Sequence, residues 1–444
     1  MSLLIKNGTL VSFSEDAPLF IKSGAIITDD KKIKKIGRAD ELEKEFEGGK
    51  IIDAKGGIVM PGLINAHNHL YSSLARGLPF PFEPPSNFSE ILERLWWRLD
   101  SVLDKDSIYW SAIVGIIDSL RYGVTTIIDH HASYGYIKGS LEIVKEAAEM
   151  LGVRLATCYE VSDRNGREQS DAAIQENVDF IEKYQHNPMI AGLFGLHASF
   201  TLEEKTLNTV SDLVDKLNTG VHIHLAEDET DEIKSIELSG KRAGVRLYDY
   251  GLLNSSGIVA HAIHTNDEEQ KLLAKSGVFI VHNPESNMNN AVGIAPLLSL
   301  KEKGAKIGLG TDGYSFNMLT SFRVAQLLQK LREKDPRVGT DLSLNALFTG
   351  NSRFASKLFG TNLGSLKEGS AADIIIIPYN PPTPLHKDNL VGHLIFGFSQ
   401  LIPNTVIVNG KIVINENVLL TANESELNSE AIKVAQKLWE RFVE

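Results

Sequence analysis

The residues of this 444-residue chain that could do chemistry cluster at the ends of short apolar runs. Ile58-Val59-Met60 leads through Pro61-Gly62-Leu63-Ile64-Asn65-Ala66 to His67 and His69. On extended backbone, side chains two apart project to the same side, so these two imidazoles can share a cation. Other run ends carry Asp129-His130-His131, Glu160, His197, His222 and His224 followed by Glu227, His261, His282 and Asp312. Nine of the 13 histidines thus lie in or at the end of a run. Chance scatter would put many of them on surface helices, so a shared catalytic mouth is the better reading.

Imidazole and carboxylate suit a borderline divalent ion that keeps one position for water. His67, His69, His224 and Asp312 would supply three nitrogens and one oxygen. Such an ion lowers the pKa of bound water from about 15.7 toward about 7. Glu227, three residues past His224, is placed to shuttle protons, and His261 to orient the water and stabilise charge on the attacked group. The single cysteine, Cys158, sits in an apolar run and reads as a buried strand thiol. Any metal site must therefore use His and carboxylate. The compact nucleobase deaminases, which need a Cys pair, are excluded.

The elements that must position these residues show an α/β rhythm. Eight apolar runs (57–64, 125–129, 155–160, 190–196, 221–223, 258–260, 278–281 and 307–310) alternate with amphipathic stretches such as 107–121, 140–150, 171–184, 203–217, 267–276 and 320–332. The count predicts a (β/α)8 TIM-type barrel spanning 57–360, with active-site residues at the carboxyl ends of its strands. Residues 1–56 and 361–425 read instead as short strands and turns, and are expected to form one small β-sandwich domain from both chain ends. In it Lys6-Asn7-Gly8 reads as a break, and Asn409-Gly410 as a hairpin turn. Residues 426–444 have helical periodicity.

The net charge of −12, with no Lys/Arg cluster, argues against nucleic acid and anionic membrane surfaces. No apolar run approaches the roughly 18 residues of a membrane span. The start of the sequence lacks a signal-peptide pattern, so a cytoplasmic protein is expected. A homodimer is the expected assembly.

Four segments together carry a resemblance: Met60-Pro61-Gly62-Leu63-Ile64-Asn65-Ala66-His67-Asn68-His69, His222-Ile223-His224-Leu225-Ala226-Glu227, Val259-Ala260-His261 and Leu309-Gly310-Thr311-Asp312-Gly313. In this order they resemble the amidohydrolase superfamily, in its cytosine-deaminase-like branch related to triazine and guanine deaminases. Asp129-His130-His131-Ala132-Ser133 and Gly195-Leu196-His197-Ala198-Ser199-Phe200 look most like its SsnA-type aminohydrolases. The resemblance implies that His67, His69, His224 and Asp312 hold one divalent ion, zinc or iron. It implies that Asp312 takes a proton from the metal's water, that Glu227 protonates a ring nitrogen, that His261 hydrogen-bonds the attacking water or the substrate oxygen, and that His197 touches substrate. Binuclear members carry a carboxylated lysine at the end of strand three or four. Here those ends are Tyr159-Glu160 and Leu196-His197, so a single metal is implied.

The activity implied is hydrolytic deamination of a small N-heterocycle such as a purine, pyrimidine, pterin or triazine. Hydrolysis of a cyclic amide or ureide is the alternative. A non-catalytic metal-holding subunit is disfavoured because Glu227 and His261 are both present. The loops 283–290 and 313–317 depart from the family pattern and leave the substrate open.

Further residues carry two readings. His222 reads as an interior histidine one layer below His224. Of the adjacent His130 and His131 only one can face the barrel axis, and His131 is taken as the pocket-facing one. Glu160 and Trp96 are further substrate-side candidates. Trp96 lies in the proline- and aromatic-rich segment 76–98, which reads either as a lid with aromatic walls or as a packed loop or subunit contact.

Overall fold

A computed structural model describes residues 2–444. Its hydrogen bonds form three sheets. One has nine strands and is built from both chain ends. Leu3–Ser12 lies at its heart, antiparallel to Leu19–Asp29 and parallel to Lys50–Asp53 and Ile58–Pro61. Ile374–Ile377 joins Ile58–Pro61, and Thr405–Val408, Lys411–Asn415 and Val418–Leu419 follow outward. The ends therefore do meet, but through one continuous hydrogen-bonded sheet; the two facing sheets expected of a sandwich are not drawn by the bonding.

Two local features of this sheet follow from turn chemistry. Asn409 (φ 49°) and Gly410 (φ 76°) both take positive φ between Thr405–Val408 and Lys411–Asn415, the conformation that Asn-Gly favours in a two-residue hairpin. The expected break at Lys6-Asn7-Gly8 is instead an irregularity inside one strand. Asn7 adopts φ 58°, and the register shifts between Ile5 and Gly8. A Cβ on Gly8 would stand 2.4 Å from Val59 Cγ2, so the neighbouring strand leaves no room for a side chain there.

The first apolar run divides. Ile58–Pro61 belongs to the terminal sheet, and Leu63–Asn68 starts the parallel strands. Gly62 is the crossing point: a Cβ there would lie 2.2 Å from Thr125 Oγ1. The sequence alone could not show this division, because both halves are apolar and buried.

The other two sheets are parallel. Leu63–Asn68, Val124–Asp129, Arg154–Thr157 and Ile190–Gly192 form one; Phe194–Ala198, Val221–Leu225, Ile258–His261, Phe279–His282 and Lys306–Leu309 form the other. They touch at both edges. Ile190–Gly192 and Phe194–Ala198 are separated only by Leu193, whose N–H donates to Thr157 O at 3.2 Å. At the far edge, the N–H groups of Thr311 and Asp312 each donate to His67 O at 3.0 Å, and Asn68 bridges Asp312. The buried Asn351 amide donates to Ile64 O and Leu309 O, both at 2.8 Å, tying the first and last parallel strands. Helices alternate with the strands, as the periodicity predicts; Lys105–Arg121, for example, starts at a capping box of Asp104 and Ser107.

Helix Glu424–Val443 packs on Lys105–Arg121 and on the segment after the first parallel strand. Trp439 Nε1 donates to Leu74 O at 2.8 Å, and Arg98 Nε to Phe442 O at 2.5 Å. Among the described residues no helix is long and apolar enough to cross a membrane.

A buried ion pair joins the parallel strands to the terminal sheet: Arg154 Nη1 meets Asp373 Oδ2, and both residues are at most 3% exposed. Removing one partner strands the other charge in the interior, at a cost of about 3–5 kcal/mol. Arg154→Ala is expected to lower the thermal midpoint by several degrees. An unchanged melting curve by differential scanning calorimetry would count against a joining role.

Candidate active site

The three imidazoles of the proposed ligand set are fixed by what their Nδ1 atoms touch. His69 Nδ1 lies 2.7 Å from His130 O, and His224 Nδ1 lies 2.9 Å from His197 O. A backbone carbonyl only accepts, so these Nδ1 atoms carry the proton and Nε2 keeps a free lone pair. His67 Nδ1 stands 2.8 Å from His222 Nε2, with Cys158 Sγ 3.7 Å behind on His222 Nδ1. His222 is thus an interior residue below the site, as expected, and it also orients His67. Cys158 is buried, as expected.

The Nε2 atoms converge with Asp312. His69 Nε2 is 3.2 Å from His224 Nε2 and 2.9 Å from Asp312 Oδ1, and His67 Nε2 is 3.5 Å from the same oxygen. One ligand atom from each of His67, His69, His224 and Asp312 lies within 4.8 Å of the others. His67 Nε2 is buried without a hydrogen-bond partner. Free lone pairs aimed at one point, beside a carboxylate, are a donor set that fits a borderline divalent ion.

The charges say the same. Burial opposes charge on every member, but the nearness of His67 and His69 holds the Asp312 carboxyl well below the usual range. Burial takes His67 down to about 4, whereas Asp312 outweighs burial at His69 and holds it up at about 9. A cation at this point would take the place of the positive charge that Asp312 otherwise draws onto His69.

Two more groups face this centre. His261 Nε2 is 3.5 Å from Glu227 Oε2 and 3.6 Å from Asp312 Oδ2, while its Nδ1 pairs with Asn287 Oδ1 at 2.7 Å. Burial, with the charge of Asp312, pushes the Glu227 carboxyl well above the usual range. Ser286 Oγ donates to Asp312 Oδ2 at 2.6 Å, and Asn290 Nδ2 to Glu227 Oε1 at 3.3 Å. Several residues here sit in the left-handed backbone region: Ala226 (φ 49°), His261 (φ 76°) and Asp312 (φ 56°). Such conformations cost about 1–3 kcal/mol each and persist where the surroundings enforce them.

A cavity of about 410 Å³ opens over the centre and is lined by His69, His224, Glu227 and Asp312. Its walls include Glu160, His197 and Trp96, three of the expected substrate-side residues. The segment 76–98 does contribute aromatic wall: Phe88, Trp96 and Trp97 all line the cavity. His131 does not line it. Its Nε2 pairs with Ser133 Oγ at 2.9 Å behind Tyr71, whose ring lies 6.0 Å away. His130 is the inward neighbour, with its ring 4.7 Å from that of His224. The choice between adjacent residues depended on strand register, which composition does not reveal. His282 is buried at its strand end and joins none of the candidate metal groups.

Sequence reasoning missed Asp100 in the wall and Arg164 behind it. Arg164 Nη1 donates to Glu160 Oε1 at 2.8 Å, and Nη2 pairs with Asp100 Oδ2. Burial works against the Glu160 charge, but His197, Arg164 and His130 outweigh it and hold the carboxyl at about 2. The available signal was Arg164 four residues past a run-end glutamate; Asp100 lies on a helix and gave none.

Residues 58–413 match the family described as the amidohydrolase family. A 5-methylthioadenosine/S-adenosylhomocysteine deaminase from Thermococcus sibiricus is 34% identical, over 93% of this chain and 94% of the relative. A 5′-deoxyadenosine deaminase from Methanocaldococcus jannaschii is 30% identical, over 91% and 94%. Among solved structures, a zinc-bound adenosine deaminase from Xanthomonas campestris superposes with TM-score 0.87 at 23% identity, over 98% of both chains. A triazine hydrolase from Arthrobacter gives 0.84 at 23%, over 98% of this chain and 99% of that one. These two likenesses speak for the fold, which the match over most of the sequence places in a lineage: the chain belongs to the amidohydrolase family.

Proposed function

We propose that this protein is a metal-dependent aminohydrolase that replaces an amino group on an adenosine-type N-heterocycle with oxygen. The observation that carries the reading is the convergence of three Nε2 lone pairs on Asp312, with Glu227 and His261 facing the same point. The ring is chosen from the relatives, which are deaminases of adenosine derivatives by name. The ion is one zinc or iron, held by His67, His69, His224 and Asp312; a structural neighbour with bound zinc favours zinc. The two parallel sheets are read as one eight-stranded barrel in which 190–198 is a single strand. Its contacts at both edges support that reading.

When bound, a divalent ion makes a water acidic enough to attack at neutral pH. The side chains do the rest. The neutral His261 accepts a hydrogen bond from the attacking water at Nε2, because Asn287 engages its Nδ1. Asp312 takes the proton that the water loses, steadied by Ser286 at Oδ2. Burial and the charge of Asp312 raise the Glu227 pKa and so favour its acid form, which gives a proton to the ring nitrogen beside the attacked carbon. Protonating that nitrogen neutralises the charge that attack would leave on the ring; Asp312 then passes its proton to the amino group, which leaves as ammonia while the hydroxyl proton of the adduct returns to Glu227. His197 and Trp96 hold the ring from the wall.

Metal analysis should find one divalent ion per chain, and His224→Ala should lower it to near zero; full occupancy in that variant would remove His224 from the ligand set. Glu227→Gln should keep the ion yet lose roughly 10²–10⁴-fold in kcat for ammonia release, the scale of a lost general acid. Normal turnover by Glu227→Gln would refute its role.

A further inference from the structure

The cavity has a second polar region, away from the reacting centre. Helix Trp97–Val102 and the loop after Arg154–Thr157 bring Asp100 and Glu160 to the wall, with Arg164 behind both. Arg164 is held between the rings of Trp97 (5.2 Å) and Tyr134 (4.4 Å), so it cannot swing free without losing both stacks. Its Nη1 and Nη2 are committed to the two carboxylates, and its Nε is buried without a partner. The cation that does line the cavity, Arg76, is exposed and already paired with Asp118. No other Lys or Arg lines the cavity among the described residues.

Two groups in this wall are left without partners. Asp100 Oδ1 and Trp97 Nε1 are buried and make no hydrogen bond, although both residues line the cavity. Buried polar atoms are ordinarily satisfied, so an unpaired acceptor and an unpaired donor on one helical turn mark a place where a ligand completes the bonding.

We propose that the Asp100–Arg164–Glu160 cluster, with Trp97, is a specificity element that accepts a neutral or cationic hydrogen-bond-donating substituent on the heterocycle and rejects an anionic one. This rests on the deaminase reading above and names the substrate class within it. A carboxylate or phosphate on the substituent would meet the Glu160 charge at the wall, with Arg164 behind it and already paired to both Glu160 and Asp100. A hydroxyl or ammonium would donate to Asp100 or Glu160. The element works by disfavouring the wrong partner as well as by binding the right one.

The test compares adenosine, 5′-amino-5′-deoxyadenosine and adenosine-5′-carboxylate on the metal-loaded protein. Ammonia release gives kcat/KM, and quenching of intrinsic tryptophan fluorescence gives binding whether or not turnover occurs. The wild type should favour the neutral and cationic compounds over the carboxylate by roughly 100-fold, as expected where like charges are juxtaposed. Asp100→Asn and Glu160→Gln should narrow that ratio about tenfold or more by freeing Arg164, with metal content unchanged. Binding and turnover within threefold across the three compounds would overturn this proposal and leave the deaminase reading standing. Neither binding nor ammonia release from any of them would overturn the adenosine-type reading and this proposal with it.

Discussion

Hydrogen bonds at the far side of three imidazole rings govern this structure's chemistry. His130 O and His197 O fix the tautomers of His69 and His224, and His222 occupies the same position behind His67. Two of these contacts come from the strand next door and the third from a strand of the other parallel sheet, so the rings point at one place only while the strands keep their register. A shift of one residue would turn every inward side chain outward. The metal chemistry is therefore a property of sheet pairing before it is a property of any single histidine.

Asp312 depends on the same logic from the opposite edge. It follows Lys306–Leu309, and two backbone hydrogen bonds to His67 O bring the end of that strand against the start of the series. Asn351 ties the same two strands below. The left-handed conformations at Ala226, His261 and Asp312 lie where the chain leaves the strands, and they turn Glu227, His261 and Asp312 over the cluster. The seam that joins the last strand to the first thus also carries the carboxylate that the imidazoles require.

Much of this was legible in the sequence. The polar residues at run ends survive as a buried cluster because nothing else in an apolar strand explains a histidine or an aspartate there. The Asn409-Gly410 hairpin was legible because two positive φ angles admit few residue pairs. The rest depended on tertiary context. The split of 57–64 at Gly62 was hidden by an apolar run serving two sheets. His130 and His131 could not be told apart without the register. Asp100 reaches the cavity from a helix whose polar residues resemble any solvent-facing set, and only its pairing with Arg164 reveals it. The terminal sheet closes through pairings between residues more than 300 positions apart, beyond the reach of local pattern.

The most direct measurement is anomalous diffraction at the metal edge from crystals of the metal-loaded protein. The account predicts a single peak about 2.0–2.2 Å from the Nε2 atoms of His67, His69 and His224 and from a carboxylate oxygen of Asp312, the distances such ligands adopt. A peak elsewhere, or one in which Asp312 or any of the three imidazoles is turned away from the ion, would contradict it.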